Sequence, residues 1–81
     1  MEMNEITLFS RNNCSLCEEV KVWIDLLAYD YSFEFREKDI EEDDDLHEKY
    51  ALQIPVVHVN GEELIFPQLS ENAVRERLQK Y

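Results

Sequence analysis

The sequence predicts an α/β fold of order β-α-β-α-β-β-α, with a four-stranded mixed sheet flanked by three helices. Three observations predict it. A short apolar run over residues 5–10 gives way, at Cys14-Ser15-Leu16-Cys17, to apolar residues at helical spacing. Tyr31-Ser32-Phe33-Glu34-Phe35-Arg36 then alternates aromatic and polar side chains with period two. Later, two short apolar runs are joined by Asn60-Gly61, a pair suited to a two-residue hairpin because a type I′ turn needs positive φ at both central positions.

Each element has its own justification. Ile6, Leu8 and Phe9 make a buried first strand over about 5–10, and Ser10-Arg11-Asn12-Asn13 breaks it. From Cys14 onward Leu16, Val20, Trp23, Ile24 and Leu27 form an apolar stripe, with Glu18, Glu19, Lys21 and Asp25 on the other face. Ser15 with Glu18 matches a capping box, which sets the helix start here. The alternating run 31–36 reads as a strand with one buried face, closed by Asp39-Ile40. The acidic run Glu41-Glu42-Asp43-Asp44-Asp45 opens a second helix over about 41–51, where carboxylates suit the positive end of the helix dipole. It has neither the alternating ligands nor the glycine turn of a calcium loop. Val56–Val59 and Glu63–Phe66 are the last two strands, and Gly61 is the only glycine in the chain. Pro67 ends the fourth strand. Ser70 caps a final helix with Ala73, Val74, Leu78 and Tyr81 on its apolar face and Arg75, Arg77 and Lys80 toward its negative end. Connection rules make the first two strands parallel through a right-handed crossover.

Size and charge limit what such a chain does. With 81 residues one domain over 1–81 is expected, burying roughly 60–65% of the surface its unfolded chain exposes. Nineteen acidic and eight basic residues give a formal charge of -11. That argues against nucleic-acid binding, which needs cations at phosphates, and against an anionic membrane surface. No run approaches the apolar length of a membrane span, and Met1-Glu2-Met3-Asn4-Glu5 lacks the basic start of a secretory signal. A cytoplasmic monomer is the expectation.

Cys14 and Cys17 are the only cysteines, too few for a secreted disulfide scaffold. Catalysis, metal binding or chance remain for them. Thiolate is the reactive form of cysteine, and a helix N-terminus favours an anion, so a dithiol/disulfide switch is the leading reading. His47 and His58 match no common zinc spacing, and no metal is expected. His47 reads as solvated on a helix, and His58 as lying on a strand face. Trp23 reads as core beneath the dithiol helix.

A β-α-β-α-β-β-α chain with Cys14-x-x-Cys17 opening its first helix, and Ile54-Pro55 before its third strand, resembles the thioredoxin superfamily. Its length resembles the glutaredoxin branch. The stretch Ile6 to Cys17, the run Asp39 to Tyr50 and Ile54-Pro55-Val56 resemble small bacterial glutaredoxin-like proteins. The resemblance implies a thiol–disulfide oxidoreductase. Cys14 would be the more exposed nucleophile, its thiol lowered by the helix N-terminus and by Arg11 and opposed by Glu18 and Glu19. Cys17 would be the resolving thiol. Pro55 would be a cis-proline facing the dithiol, leaving the Ile54 backbone to pair with an extended substrate. The chain also departs from the family pattern. Ile65-Phe66-Pro67-Gln68-Leu69-Ser70 lacks the glycine pair that holds a glutathione carboxylate. Gln53 replaces the usual threonine, and Leu8 stands near the buried aspartate of thioredoxins. No resident cofactor is expected, and glutathione would enter only as a thiol co-substrate. The partners are a disulfide-bearing protein or small molecule, and a reductase or low-molecular-weight thiol as donor. The rival reading is a binding module of the same fold whose dithiol is regulatory or vestigial.

Overall fold

The computed structural model describes residues 3–79. The elements are β1 (Asn4–Ser10), α1 (Ser15–Leu27), β2 (Phe33–Asp39), a 3₁₀ turn (Ile40–Glu42), α2 (Asp44–Tyr50), β3 (Val56–Val59), β4 (Glu62–Leu64) and α3 (Glu71–Arg77). The strands form one sheet in the order β2-β1-β3-β4. β1 runs parallel to β2 and antiparallel to β3, and β3 pairs antiparallel with β4. The expected mixed sheet and element order are the observed ones. Lys80 and Tyr81, expected in the last helix, lie outside the described residues.

Alternation along each strand sorts side chains to two faces. On one face Ile6, Leu8, Val57, Val59 and Leu64 pack beneath Val20, Ile24 and Leu27 of α1 and Val74 and Leu78 near α3. Phe33 and Phe35 pack partly buried against this cluster. On the other face Phe9, Val56 and Ile40 meet Tyr50 of α2. Both faces of β1 are therefore covered, and the dithiol helix rests on the larger core. At the sheet end away from the cysteines, Asn4 is fully buried. Its amide donates to the carbonyls of Ser32 and Gln79 and accepts from the Gln79 N–H and the Asn60 amide. The Asn60-Gly61 turn has φ of 51° and 88°, the left-handed pair the hairpin demands.

Several boundaries differ from the sequence expectation. Asn13, at φ 60°, turns the chain so that Cys14 is the extended residue before α1. The cap is therefore Cys14, and the Ser15–Glu18 capping box does not form. The inward stripe begins at Cys17, which leaves Leu16 half exposed. Trp23 lies partly buried against the core, edge-on to Phe66 with ring centroids 6.4 Å apart. The expected helix over 41–51 is two pieces. Asp39 accepts from the Glu41 N–H and caps the 3₁₀ turn. Asp43 is itself extended and accepts from the N–H groups of Asp45 and Leu46, which restarts the helix. β2 begins two residues later than expected and runs on to Asp39, and β4 stops at Leu64 with Phe66 exposed beyond it.

Candidate active site

The site grows out of the end of β1. After Ser10 the chain loops through Arg11, Asn12 and Asn13 to Cys14, whose carbonyl accepts the first α-helical bond, from the Glu18 N–H at 3.1 Å. A helix start leaves N–H groups without internal partners. The Cys14 Sγ takes one of them, accepting from the Cys17 N–H at 3.1 Å. Cys14 and Cys17 form a disulfide with Cα atoms 5.2 Å apart. Cys17 is 4% exposed and belongs to the inward face of α1, whereas Cys14 is only partly covered. One sulfur thus faces solvent at the helix mouth, and the other is held beneath it.

A cleft of about 680 Å³ opens beside the disulfide. Its walls are the loop Ser10–Cys14, the first turns of α1 through Lys21, the end of β2 from Glu37 to Asp39, and Glu42, Asp43 and Leu46. Arg11, Cys14 and Cys17 thus line the same cleft. Ile54 and Pro55 are not part of this wall. The Ile54–Pro55 bond is cis and Pro55 is buried. Val56, the next residue, pairs with Phe9 of β1. Pro55 therefore lies at the sheet end from which the loop to Cys14 departs. His47 is exposed on α2, and His58 lies half-buried on β3 beside Glu63 and the Tyr50 hydroxyl. Among the described residues no group of three or more histidine, cysteine, aspartate and glutamate side chains is arranged to hold a metal ion.

Sequence reasoning missed a polar cluster in the wall of the cleft. The buried Ser10 hydroxyl donates to Glu37 at 3.0 Å, and the Lys21 ammonium lies 3.0 Å from the other Glu37 oxygen. Hydrogen bonding to Lys21 holds the Glu37 carboxyl below the usual carboxylate range, with help from Ser10 and against partial burial. The same bond and the charge of Glu37 raise Lys21 above the ordinary lysine value. A signal for this group was present. At period two along β2 come Phe33, Phe35 and then the exposed Glu37, and along β1 come Ile6, Leu8 and Ser10. Both turn polar where they reach the start of α1.

The family profile described as a glutaredoxin-like domain (DUF836) matches residues 5–79. The fold is similar to that of protein XcR50 from X. campestris, at 26% identity over 88% of this chain and 91% of that one, with a TM-score of 0.72. It is similar to protein Ne2328 from Nitrosomonas europaea at 23% identity over 98% and 95%, TM-score 0.80. A mutant thioredoxin from Halobacterium salinarum NRC-1 shares the fold at 18% identity over 95% and 73%, TM-score 0.72. With nearly every described residue inside one family profile, on a fold that carries a Cys14–Cys17 disulfide, the chain belongs to the glutaredoxin-like domain (DUF836) family.

Proposed function

We propose that this protein is a thiol–disulfide oxidoreductase in which Cys14 attacks and Cys17 resolves. The observation that carries the reading is the bonded pair at the start of α1, with Cys14 the outer sulfur and Cys17 the buried one. In the reduced enzyme the Cys14 thiolate attacks a substrate disulfide. One substrate sulfur bonds to Cys14, and the other leaves as a thiolate and takes a proton. Cys17, after losing its proton to water, attacks the Cys14 sulfur and closes the Cys14–Cys17 bond. The second substrate sulfur is released and protonated. Two electrons pass to substrate, and a thiol donor returns them to the pair.

Three further residues serve this reading. Arg11 supplies positive charge at the cleft and favours the Cys14 thiolate. Pro55 offers no N–H and the Ile54 N–H is bonded to the Tyr50 carbonyl, so the Ile54 carbonyl is the backbone group we assign to an extended substrate. The donor is a reductase or a small thiol. The segment Ile65–Ser70 contains no glycine, which favours a donor other than glutathione held by that segment. The cytoplasm, whose reducing poise keeps such a pair available for reduction of substrates, is the compartment in which we place it. The test is turnover of a model disulfide with each donor supplied in turn. Cys14→Ser loses turnover entirely, and Cys17→Ser accumulates a mixed disulfide on Cys14 that mass spectrometry detects. Equal residual activity in the two variants would sink the reading.

A further inference from the structure

A helix packed on a sheet normally turns polar side chains to solvent. α1 does so only in part. Its inward stripe is Cys17, Val20, Ile24 and Leu27, and a second apolar stripe stands open beside it. Val22, Leu26 and Tyr29 follow one another at i, i+4 and i+7, on one side of the helix and of the turn that ends it. They are 55%, 52% and 87% exposed. Leu16, also more than half exposed, lies about two turns before the half-buried Trp23 and extends the stripe to the two cysteines. Trp23 in turn meets the exposed Phe66 edge-on. Single exposed apolar residues are ordinary, but a contiguous patch marks an interaction surface.

The charges around the stripe identify what covers it. Glu19, Asp25 and Asp30 border it, and none of them forms an ion pair among the described residues. The cations of α1 and α3 are already engaged. Lys21, the only one on α1, is bonded to Glu37. On α3, which packs beside α1, Arg75 is paired with Glu71 and Arg77 with Glu62. An apolar strip rimmed by unpaired carboxylates complements a partner that brings apolar side chains and cations together. A second copy would set like charges against each other, at a formal charge of -11 on each chain. A straight stripe at i, i+4 and i+7 is covered most fully by another helix. We propose that the outer face of α1 is a docking surface for a cationic amphipathic helix of a partner protein. Its apolar residues cover Val22, Leu26 and Tyr29, and its lysines or arginines meet Glu19, Asp25 and Asp30. This surface is separate from the cleft, which opens on the Lys21 side of α1, about 100° around the helix from Val22.

The probe is a fluorescein-labelled helical peptide of leucine and lysine, with its leucines at i, i+4 and i+7. Its binding to the oxidised wild-type protein is followed by fluorescence anisotropy and mapped by amide NMR shifts. Binding is saturable, and the shifts concentrate on residues 15–30. Val22→Gln with Leu26→Gln weakens it by about tenfold. Glu19→Gln with Asp25→Asn weakens it severalfold and flattens its dependence on salt. All four side chains are exposed, so the core is untouched by these changes. Asp44→Asn with Asp45→Asn removes the same charge from α2 and changes binding by less than about twofold. A peptide with glutamate in place of lysine does not bind. The proposal is overturned by no saturable binding, by shifts centred on α2, or by equal losses from the α1 and α2 charge pairs. Binding of the glutamate peptide overturns it too. So does a wild-type dimer in sedimentation that Val22→Gln with Leu26→Gln dissociates, since the occupant is then a second copy. The measurement needs no turnover. An inactive wild type would remove the oxidoreductase reading without deciding this one, and the binding data decide this one by themselves.

Discussion

At the scale of single residues, Cys14 combines two roles in one atom. Its sulfur caps α1 through the Cys17 N–H, and the same N–H favours a thiolate there once the disulfide is reduced. The roles separate by substitution. With both proteins held reduced, Cys14→Ser keeps a capping oxygen and unfolds in urea near the wild-type midpoint. Cys14→Ala loses the cap and about 1 kcal/mol. Neither turns over. Arg11→Gln leaves the fold untouched and raises the Cys14 pKa by a few tenths of a unit, seen as slower alkylation near pH 6.5. The chemistry of this pair was legible in the sequence because two thiols one turn apart at a helix start are placed for disulfide exchange, and no further cysteine or suitably spaced histidine completes a zinc site. The identity of the cap was not. Serine is the commoner capping residue, and only the left-handed turn at Asn13 decides that Cys14 takes the place instead.

At the scale of elements, the acidic run from Glu41 to Asp45 shows what sequence patterning leaves open. Carboxylates are favourable anywhere in a helix's first turn, so the run predicts a helix without saying which acid begins it. The structure uses Asp39 and Asp43 as caps and breaks the segment between them. Asp43→Ala is expected to cost about 1 kcal/mol, because two N–H groups lose their acceptor and α2 loosens over Phe9. Asp43 also walls the cleft beside the disulfide, so the lost cap is read by urea unfolding rather than by turnover. The Asn60-Gly61 turn was legible to the residue, because glycine and asparagine adopt positive φ at little strain, though β4 ends earlier than the apolar run. Glu37 was overlooked for the opposite reason. A lone charge at the end of a period-two run looks like the end of the strand, and only the pairing with β1 shows that it stands opposite Leu8, within reach of Lys21 on α1.

At the scale of the whole molecule, α1 is fixed by packing on the sheet, and the sheet is fixed at its far end by polar groups. Asn4 joins β1 to the start of β2, to the hairpin and to the segment after α3. Asn4→Ala leaves buried backbone groups without partners and is expected to cost on the order of 2–3 kcal/mol. Acid has a defined signature. Hydrogen bonds from Tyr50 and then from His58 hold the Glu63 carboxyl below its ordinary value. The unfolded chain therefore binds that proton first, and the stabilisation is present above about pH 4.3 and is lost as pH falls through the folded value. The stability gap between wild type and Glu63→Gln, open at pH 7, should close on acidification. A gap of constant size across that range would show that Glu63 titrates alike in both states. All of these contacts hold one sulfur at a helix mouth with a second beneath it. The most direct test is the pH dependence of alkylation of the reduced wild-type protein, with the modified cysteine identified by mass spectrometry. The account predicts that Cys14 reacts first, with an apparent pKa below the ordinary thiol value of about 8.5. Modification of Cys17 first, or of both at one rate with an ordinary pKa, would contradict it.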